Sequence, residues 1–258
     1  MKRYRYSYQS FDRYDNLVTF CQFLMRCTPY DNESQRLSER NFYVLNATSI
    51  HEDCDCFGNT IHYGVFKPSH DLFVVSTTGV VECVDRYGFE DSEPHPLFGA
   101  PTPLTKMDCA MLQFYASLEV QDGELDGQVS DLSSSVHEYM EYVKGVTGVA
   151  TSAAESFAQA KGVCQDYSHI LIALCRERGI MARYVAGFVL GEGESHAWVE
   201  YWDHGVWRGV DPTHNRLIED GYIKVAHGRD ASDCSIIRGM RRGVTNHTSQ
   251  IRVIVEQI

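Results

Sequence analysis

Gly162-Val163-Cys164-Gln165-Asp166-Tyr167-Ser168-His169 is the stretch on which the reading of this chain turns. From Cys164 onward Tyr167, Ile170, Leu171, Leu174 and Cys175 recur at helical spacing. Gly179 ends the pattern after a last turn carrying Arg176 and Arg178, as helix C-termini prefer. The pattern predicts an amphipathic helix with Cys164 in its first turn. Unpaired backbone N–H groups and the positive end of the helix dipole stabilise a thiolate there, and can also serve an oxyanion. An isolated cysteine in such a place is usually a buried residue of a core helix. The residues downstream set this one apart.

Ser195-His196-Ala197-Trp198 and Val210-Asp211-Pro212 follow it. His196 to Trp202 reads as a strand with His196, Trp198, Glu200 and Trp202 on one face. Val206 to Asp211 reads as a second strand. His204-Gly205 between them fits a two-residue hairpin turn, whose positions favour residues that tolerate positive φ. This register pairs Asp203 with Val206, and hence Trp198 with Asp211. Asp211 becomes the diagonal same-face neighbour of His196, about 7–8 Å away at the backbone and within reach of a carboxylate–imidazole hydrogen bond. A three-residue turn would slip the register by one and send Asp211 to the opposite face. A thiol, an imidazole and a carboxylate so placed have the chemistry of nucleophile, base and orienting acid.

The region from about Ser130 to Asn215 resembles the core of the transglutaminase-like superfamily, a circle of papain-like cysteine enzymes, and in particular its bacterial members. The residues that carry the resemblance are Gly162 to His169, Leu174-Cys175-Arg176, Gly179 to Gly187, His196-Ala197-Trp198 and Asp211-Pro212-Thr213. Met181 departs from the family's usual Pro before Ala-Arg, which relaxes a turn and leaves the three key residues untouched. Residues 1–83 resemble the N-terminal β-domain of the bacterial proteins, through Tyr4-Arg5-Tyr6, Pro29, Asp55 to Asn59 and Pro68 to Leu72. The resemblance implies that Cys164 is the acyl-accepting nucleophile, His196 its base and Asp211 the orienting group. It also implies that His227-Gly228-Arg229-Asp230, with Asp233, forms a loop near the site.

The expected fold class is α+β: an N-terminal antiparallel β-sandwich-like domain (1–83), a linker (84–104) and a transglutaminase-like, papain-like core (105–258). In that core the helix bearing Cys164 packs on an antiparallel sheet bearing His196 and Asp211. Short β-type runs such as Thr60 to Phe66 and Leu72 to Ser76, with Asn46, Gly58 and Asn59 between runs, support the first part. Pro94, Pro96, Pro101 and Pro103 mark the linker. Thr105 to Leu118 and Leu132 to Val143 read as helices, Gln121 to Ser130 as a surface loop, and Ile251 to Glu256 as a closing strand.

The expected chemistry is acyl transfer on an amide through a thioester on Cys164, with hydrolysis by a peptidase or amidase favoured. An amine acceptor in place of water would make a protein-glutamine transglutaminase. A binding module that has kept the fold without activity is the reading from another class. The substrate is a peptide, protein or other amide, and the N-terminal β-domain could engage a protein partner. No cofactor and no metal are expected, since no calcium loop is recognisable and the Cys54/Cys56 spacing near His51 and His62 is not that of a zinc knuckle. A net charge of −12 argues against nucleic acid, and Arg238 to Arg242 reads as solvated surface or an ion-pair site. No apolar run is long enough to span a membrane. Nine cysteines without framework spacing suit a reducing cytoplasm. His169 and Cys175 read as structural, and Trp198 as either a pocket wall or core. Tyr142 and Gln159 are candidates for a second oxyanion donor by position alone.

Overall fold

Tyr4, Tyr6 and Tyr8 alternate with polar residues at period two, so one edge of the first strand presents a row of aromatic rings to a single face. The three are at most 1% exposed. The computed structural model describes residues 1–84, 87–90, 94–243 and 245–258. In chain order its elements begin with β1 (Lys2–Met25), β2 (Gln35–Val44), β3 (Ser49–Cys54), β4 (Thr60–Phe66), β5 (His70–Cys83) and β6 (Phe89–Glu90). Then come α1 (Cys109–Ser117), α2 (Leu125–Tyr139), β7 (Glu141–Tyr142), α3 (Ala153–Gln159), β8 (Lys161–Gly162) and α4 (Cys164–Glu177). The chain continues with β9 (Ala182–Val189), β10 (Gly191–Gly193), β11 (His196–Asp203), β12 (Val206–Asp211), β13 (Arg216–Leu217), β14 (Tyr222–Gly228), β15 (Ile237–Arg242) and β16 (His247–Gln257).

The first sheet is eight-stranded and organised around β1. The first half of β1 pairs with β5 and β16, and its second half with β4 and β15, all antiparallel. Register shifts between Arg13 and Val18 and between Thr19 and Cys21, with Phe20 at φ 65°, bend the strand where it changes partners. Residues 1–83 supply β1 to β5, but β10, β15 and β16 complete the sheet. The boundary at 83/84 therefore divides the sequence without dividing the pairing, and Ile237–Arg242 and His247–Gln257, which the sequence reading grouped with 105–258, pair in the first sheet. Residues 85–86 and 91–93 of the stretch read as a linker (84–104) lie outside the described residues.

The second sheet runs β13-β12-β11-β9-β14, with β6 on β12. One face carries Ala182, Tyr184, Ala186, Ala197, Val199 and Tyr201, on which α4 packs through Ile170, Leu171 and Leu174. Gly179 at φ +81° ends that helix region in the left-handed conformation that glycine accepts without cost. Phe188, Ile223 and Val225 turn to the first sheet, where Phe188 stacks on Tyr6 and Tyr8 at centroid distances of 5.9 and 5.7 Å. The two sheets thus share one apolar core. Truncating the chain at residue 83 would strip the cover from those three side chains.

Two helices differ from the sequence reading. The first spans 109–117 and not 105–118. The second begins at Leu125, inside the stretch read as a loop, and ends at Tyr139 and not at 143. Val129, Leu132, Ser133 and Val136 form its buried stripe against α4. Asp126 and Gln128 flank that stripe and accept from Tyr201 and Arg178, and the polarity of Asp126, Gly127 and Gln128 hid the helix start.

A shared core predicts one cooperative unfolding transition for the whole chain. Phe188→Ala should destabilise it by about 3–5 kcal/mol while keeping a single transition. Differential scanning calorimetry checks this, and two separate melting events in the wild type would refute the shared core.

Candidate active site

The N-terminus of α4 is held by its own sequence. Val163 N–H donates to Asp166 Oδ2 at 2.8 Å, and Thr147 Oγ1 donates to the same oxygen at 2.7 Å. A Cβ built on Gly162 would stand 2.5 Å from Asp166 Oδ2, so no larger residue fits there without displacing this cap. Cys164 follows, partly buried, with the unpaired N–H groups of the first helical turn around it. The parallel bridge of β7 on β8 sets Tyr142 opposite Gly162 and so beside the thiol. Burial and then the proximity of Cys164 push the Tyr142 hydroxyl up to about 12, which keeps it a proton donor at neutral pH.

The β11–β12 hairpin places the other two residues. Asp203 pairs with Val206 across a two-residue turn, His204 at φ 42° and Gly205 at φ 102°. Val199 pairs with Val210, which leaves Asp211 diagonal to His196. His196 Nε2–H donates to Asp211 Oδ2 at 2.7 Å. The remaining ring nitrogen, Nδ1, is left for the hydrogen bond with Cys164. Burial opposes the charged imidazole, but the hydrogen bonds with Asp211 and Cys164 outweigh it and raise His196 to about 10.

Asp211 has no exposed side-chain surface and is surrounded by donors. Its Oδ2 accepts from His196 Nε2, from His214 Nδ1 at 2.6 Å and from the Tyr222 hydroxyl at 2.7 Å. Its Oδ1 accepts from the backbone N–H groups of Thr213 and His214 at 2.9 and 3.2 Å. Arg216 donates from Nη2 to the Tyr222 oxygen at 2.8 Å, which turns that hydroxyl proton toward Asp211. Burial alone would raise the carboxyl; the hydrogen bonds from His196 and His214 overcome it and hold Asp211 well below the usual carboxylate range.

His214 and Tyr222 were missed by sequence reasoning. The signal for His214 was its place three residues after Asp211 in Asp211-Pro212-Thr213-His214, a spacing that lets a turn fold back on its first residue. Among the described residues, His196, Asp211 and His214 are the group of ligand-type atoms close enough to hold a metal, all within 4.8 Å of one another. Both imidazoles already donate to one Asp211 oxygen, so a cation would have to displace both protons; the donor set fits a hydrogen-bond relay better. His62 instead stacks on Phe42 at 3.8 Å and bonds Glu52, while His51 stacks on Tyr63.

The remaining candidates separate clearly. Gln159 is exposed and donates to the Glu155 carbonyl, away from the thiol. Trp198 is fully buried, donates from Nε1 to Tyr87 Oη at 2.9 Å, and belongs to a core with Val185 and Trp207. His169 is buried, accepts from Ala231 N–H at 3.1 Å and is lowered by burial to about 4, so it is neutral and ties the 227–233 loop to α4. A groove of about 1280 Å³ opens over Cys164, His196 and Tyr142, with that loop contributing Asp230 to Ser232. β15 lines the same groove through Arg238 to Arg241.

Residues 116–212 match the family model of the transglutaminase-like superfamily, and residues 4–82 that of the bacterial transglutaminase-like N-terminal region. An uncharacterised protein of Mycobacterium leprae is 27% identical over 253 residues, covering 90% of this chain and 89% of that one. The protein-glutamine gamma-glutamyltransferase of Pseudomonas aeruginosa is 38% identical over 89 residues, covering 28% of this chain and 13% of that protein. A solved structure of a candidate cysteine protease from Cytophaga hutchinsonii superposes with a TM-score of 0.84 over 100% of this chain and 91% of that one. At 22% identity, that likeness is one of fold. The chain belongs to the transglutaminase-like superfamily, its core preceded by the bacterial transglutaminase-like N-terminal region.

Proposed function

We propose that this chain is a cysteine-dependent acyl-transfer enzyme in which Cys164 is the nucleophile, His196 the acid–base and Asp211 the orienting group. The observation that carries the reading is the relay from Asp211 Oδ2 through His196 to Cys164 at the first turn of α4, inside a groove large enough for an extended chain. Cys164 attacks an amide carbonyl, and its proton rests on His196 Nδ1. The tetrahedral oxyanion is met by backbone N–H groups at the start of α4, with the Tyr142 hydroxyl as second donor. The His196 imidazolium then protonates the leaving amine, giving a thioester on Cys164. Water attacks the thioester as His196 takes its proton, and the carboxylic acid is released.

Hydrolysis is the preferred outcome because water at about 55 M competes with any amine unless the site excludes it, and the groove lies open to solvent. The identity shared with the Pseudomonas glutamyltransferase favours a second reading, with a lysine-type amine as acceptor. A trial of both acceptors on one glutamine-containing peptide decides between them. A reducing compartment such as the cytoplasm suits the thiol chemistry, and the nine cysteines, all unpaired, support that placement. No helix among the described residues is long and apolar enough to cross a membrane.

Iodoacetamide in limiting amount should label Cys164 selectively below pH 7, with the exposed Cys54, Cys56 and Cys109 as internal reference thiols. His196→Ala should remove that selectivity and lower turnover by roughly 10²–10⁴. Peptide mapping reads the labelling, and equal reactivity of all four thiols would reduce the chain to a binding module.

Asp211→Asn should let the His196 titration fall from about 10 toward its ordinary value of 6.5, read by heteronuclear NMR of the imidazole. The sign for stability follows. The raised imidazole stabilises the fold fully below pH 6.5 and loses that contribution as pH rises through about 10. The depressed carboxylate stabilises it above its ordinary 3.8 and loses that contribution in stronger acid. The wild type should therefore be more stable than Asp211→Asn by the widest margin between those two ordinary values, as measured by urea unfolding across pH. An unmoved imidazole titration would show that Asp211 does not set the charge on His196.

His214→Asn puts an amide N–H where Nδ1–H stood, whereas His214→Ala removes the donor. The Asn variant should keep the wild-type pH profile of Cys164 labelling and the Ala variant shift it. Identical profiles for the Ala variant and the wild type would exclude His214 from the relay.

A further inference from the structure

β15, Ile237-Arg238-Gly239-Met240-Arg241-Arg242, lines the groove that holds Cys164 and takes no part in the relay. Among the described residues it pairs with β1 alone, so its other edge carries backbone N–H and C=O groups with no strand to satisfy them. Residues 238–242 are all exposed, and Met240 stands 71% exposed between the arginines.

The strand is also a concentration of positive charge in a chain of net charge −12. Arg238, Arg241 and Arg242 have no carboxylate partner among the described residues. Arg238 Nη2 donates to the Ser232 carbonyl at 2.9 Å. Arg241 lies over the Tyr14 ring at 4.9 Å and donates to His247 Nδ1 at 3.2 Å, while Arg242 lies over Phe20 at 5.8 Å. Carbonyls and aromatic faces orient these guanidiniums without neutralising them. Of the carboxylates lining the same groove, Glu194 is paired with Lys144 at 3.1 Å, and Asp230 Oδ1 accepts from Ser232 N–H at 2.8 Å. Asp12 and the buried Asp230 are left to oppose Arg238 and Arg241.

We infer that β15 is the docking strand for an extended acidic segment of the polypeptide substrate, which adds to its open edge and leads the reacting amide toward Cys164. The reaction part of this inference rests on the acyl-transfer reading; the docking part does not. Backbone pairing along the edge supplies affinity without regard to sequence, and the arginines select acidic side chains. A second copy of the chain is disfavoured as occupant, because antiparallel pairing of two β15 edges would set arginines against arginines. Nucleic acid is disfavoured because its backbone has no ladder of N–H and C=O groups to pair with the open edge.

The test is binding by the full-length Cys164→Ala chain, read as fluorescence anisotropy of short labelled peptides. Alternating Glu-Thr, Gln-Thr and Lys-Thr sequences should rank acidic, neutral, basic, with the acidic advantage shrinking in high salt. Replacing Arg238, Arg241 and Arg242 together by Gln should weaken the acidic peptide by about tenfold and leave the neutral one unchanged. Methylating alternate backbone nitrogens of the acidic peptide should abolish its binding. Acidic peptides that bind no tighter than neutral ones would overturn the inference, as would unaltered binding by the triple variant. Methylated peptides that still bind, or a single-stranded oligonucleotide of equal charge that binds as tightly, would overturn it too. The ranking and its salt dependence on Cys164→Ala decide the matter even if the triple variant does not fold. Alkylation of Cys164 in the otherwise wild-type chain reads the chemistry separately, so docking without a reactive thiol would remove the reaction and keep the surface.

Discussion

One oxygen atom, Asp211 Oδ2, accepts hydrogen bonds from two imidazoles and a phenol, and the site is organised around it. A fully buried carboxylate is costly unless its lone pairs are filled, and removing a partner from such a group costs more than the pair contributes. Here filling them dictates the surroundings. Strand β12 must end where Thr213 and His214 can turn their N–H groups back, and β14 must bring Tyr222 across. Arg216 must hold the phenol, and His196 must present Nε2. The imidazole that reaches toward Cys164 is thus fixed in tautomer and tilt by groups that never touch the thiol.

The second sheet meets this demand because both its faces are engaged. On one side α4 presses Ile170, Leu171 and Leu174 against it and fixes the depth of Cys164. Further along that face Phe188 and Ile223 are clamped by the tyrosines of β1, and the opposite face buries Val185, Trp198 and Trp207. Precision at the relay is therefore borrowed from packing on a sheet far away in sequence. On the Trp198 face, the buried Glu200 lies between Arg183 and Lys224, with Lys224 Nζ at 2.8 Å. Burial and the neighbouring Arg183 lower that lysine to about 7, against the pull of Glu200.

What could be read from residues alone was local. The hairpin register followed from His204-Gly205, because few turns accept two successive positive φ angles and each choice of turn sends Asp211 to a definite face. The start of α4 followed from a glycine, a cysteine and a clean apolar stripe. The second helix was misread because Asp126, Gly127 and Gln128 lack any apolar signal, although Val129 and its partners behind them pack fully. His214, Tyr222 and the return of β15 and β16 to the first sheet were not legible, since each depends on which distant segment becomes a neighbour. A strand pattern announces that a partner exists without naming it.

The bent strand β1 has a consequence for how the molecule comes into being. Its first half lies between β5 and β16, the latter more than two hundred residues further along, and the Ile258 N–H closes onto the Arg3 carbonyl at 2.9 Å. During synthesis Tyr4, Tyr6 and Tyr8 wait without Phe188 and Ile223 until those residues have emerged, and the first sheet stays open on that side until β16 has left the ribosome. The part of the groove lining that β15 provides arrives shortly before β16. A half-made chain would carry its thiol without that lining, so the order of synthesis itself delays the assembly of the groove.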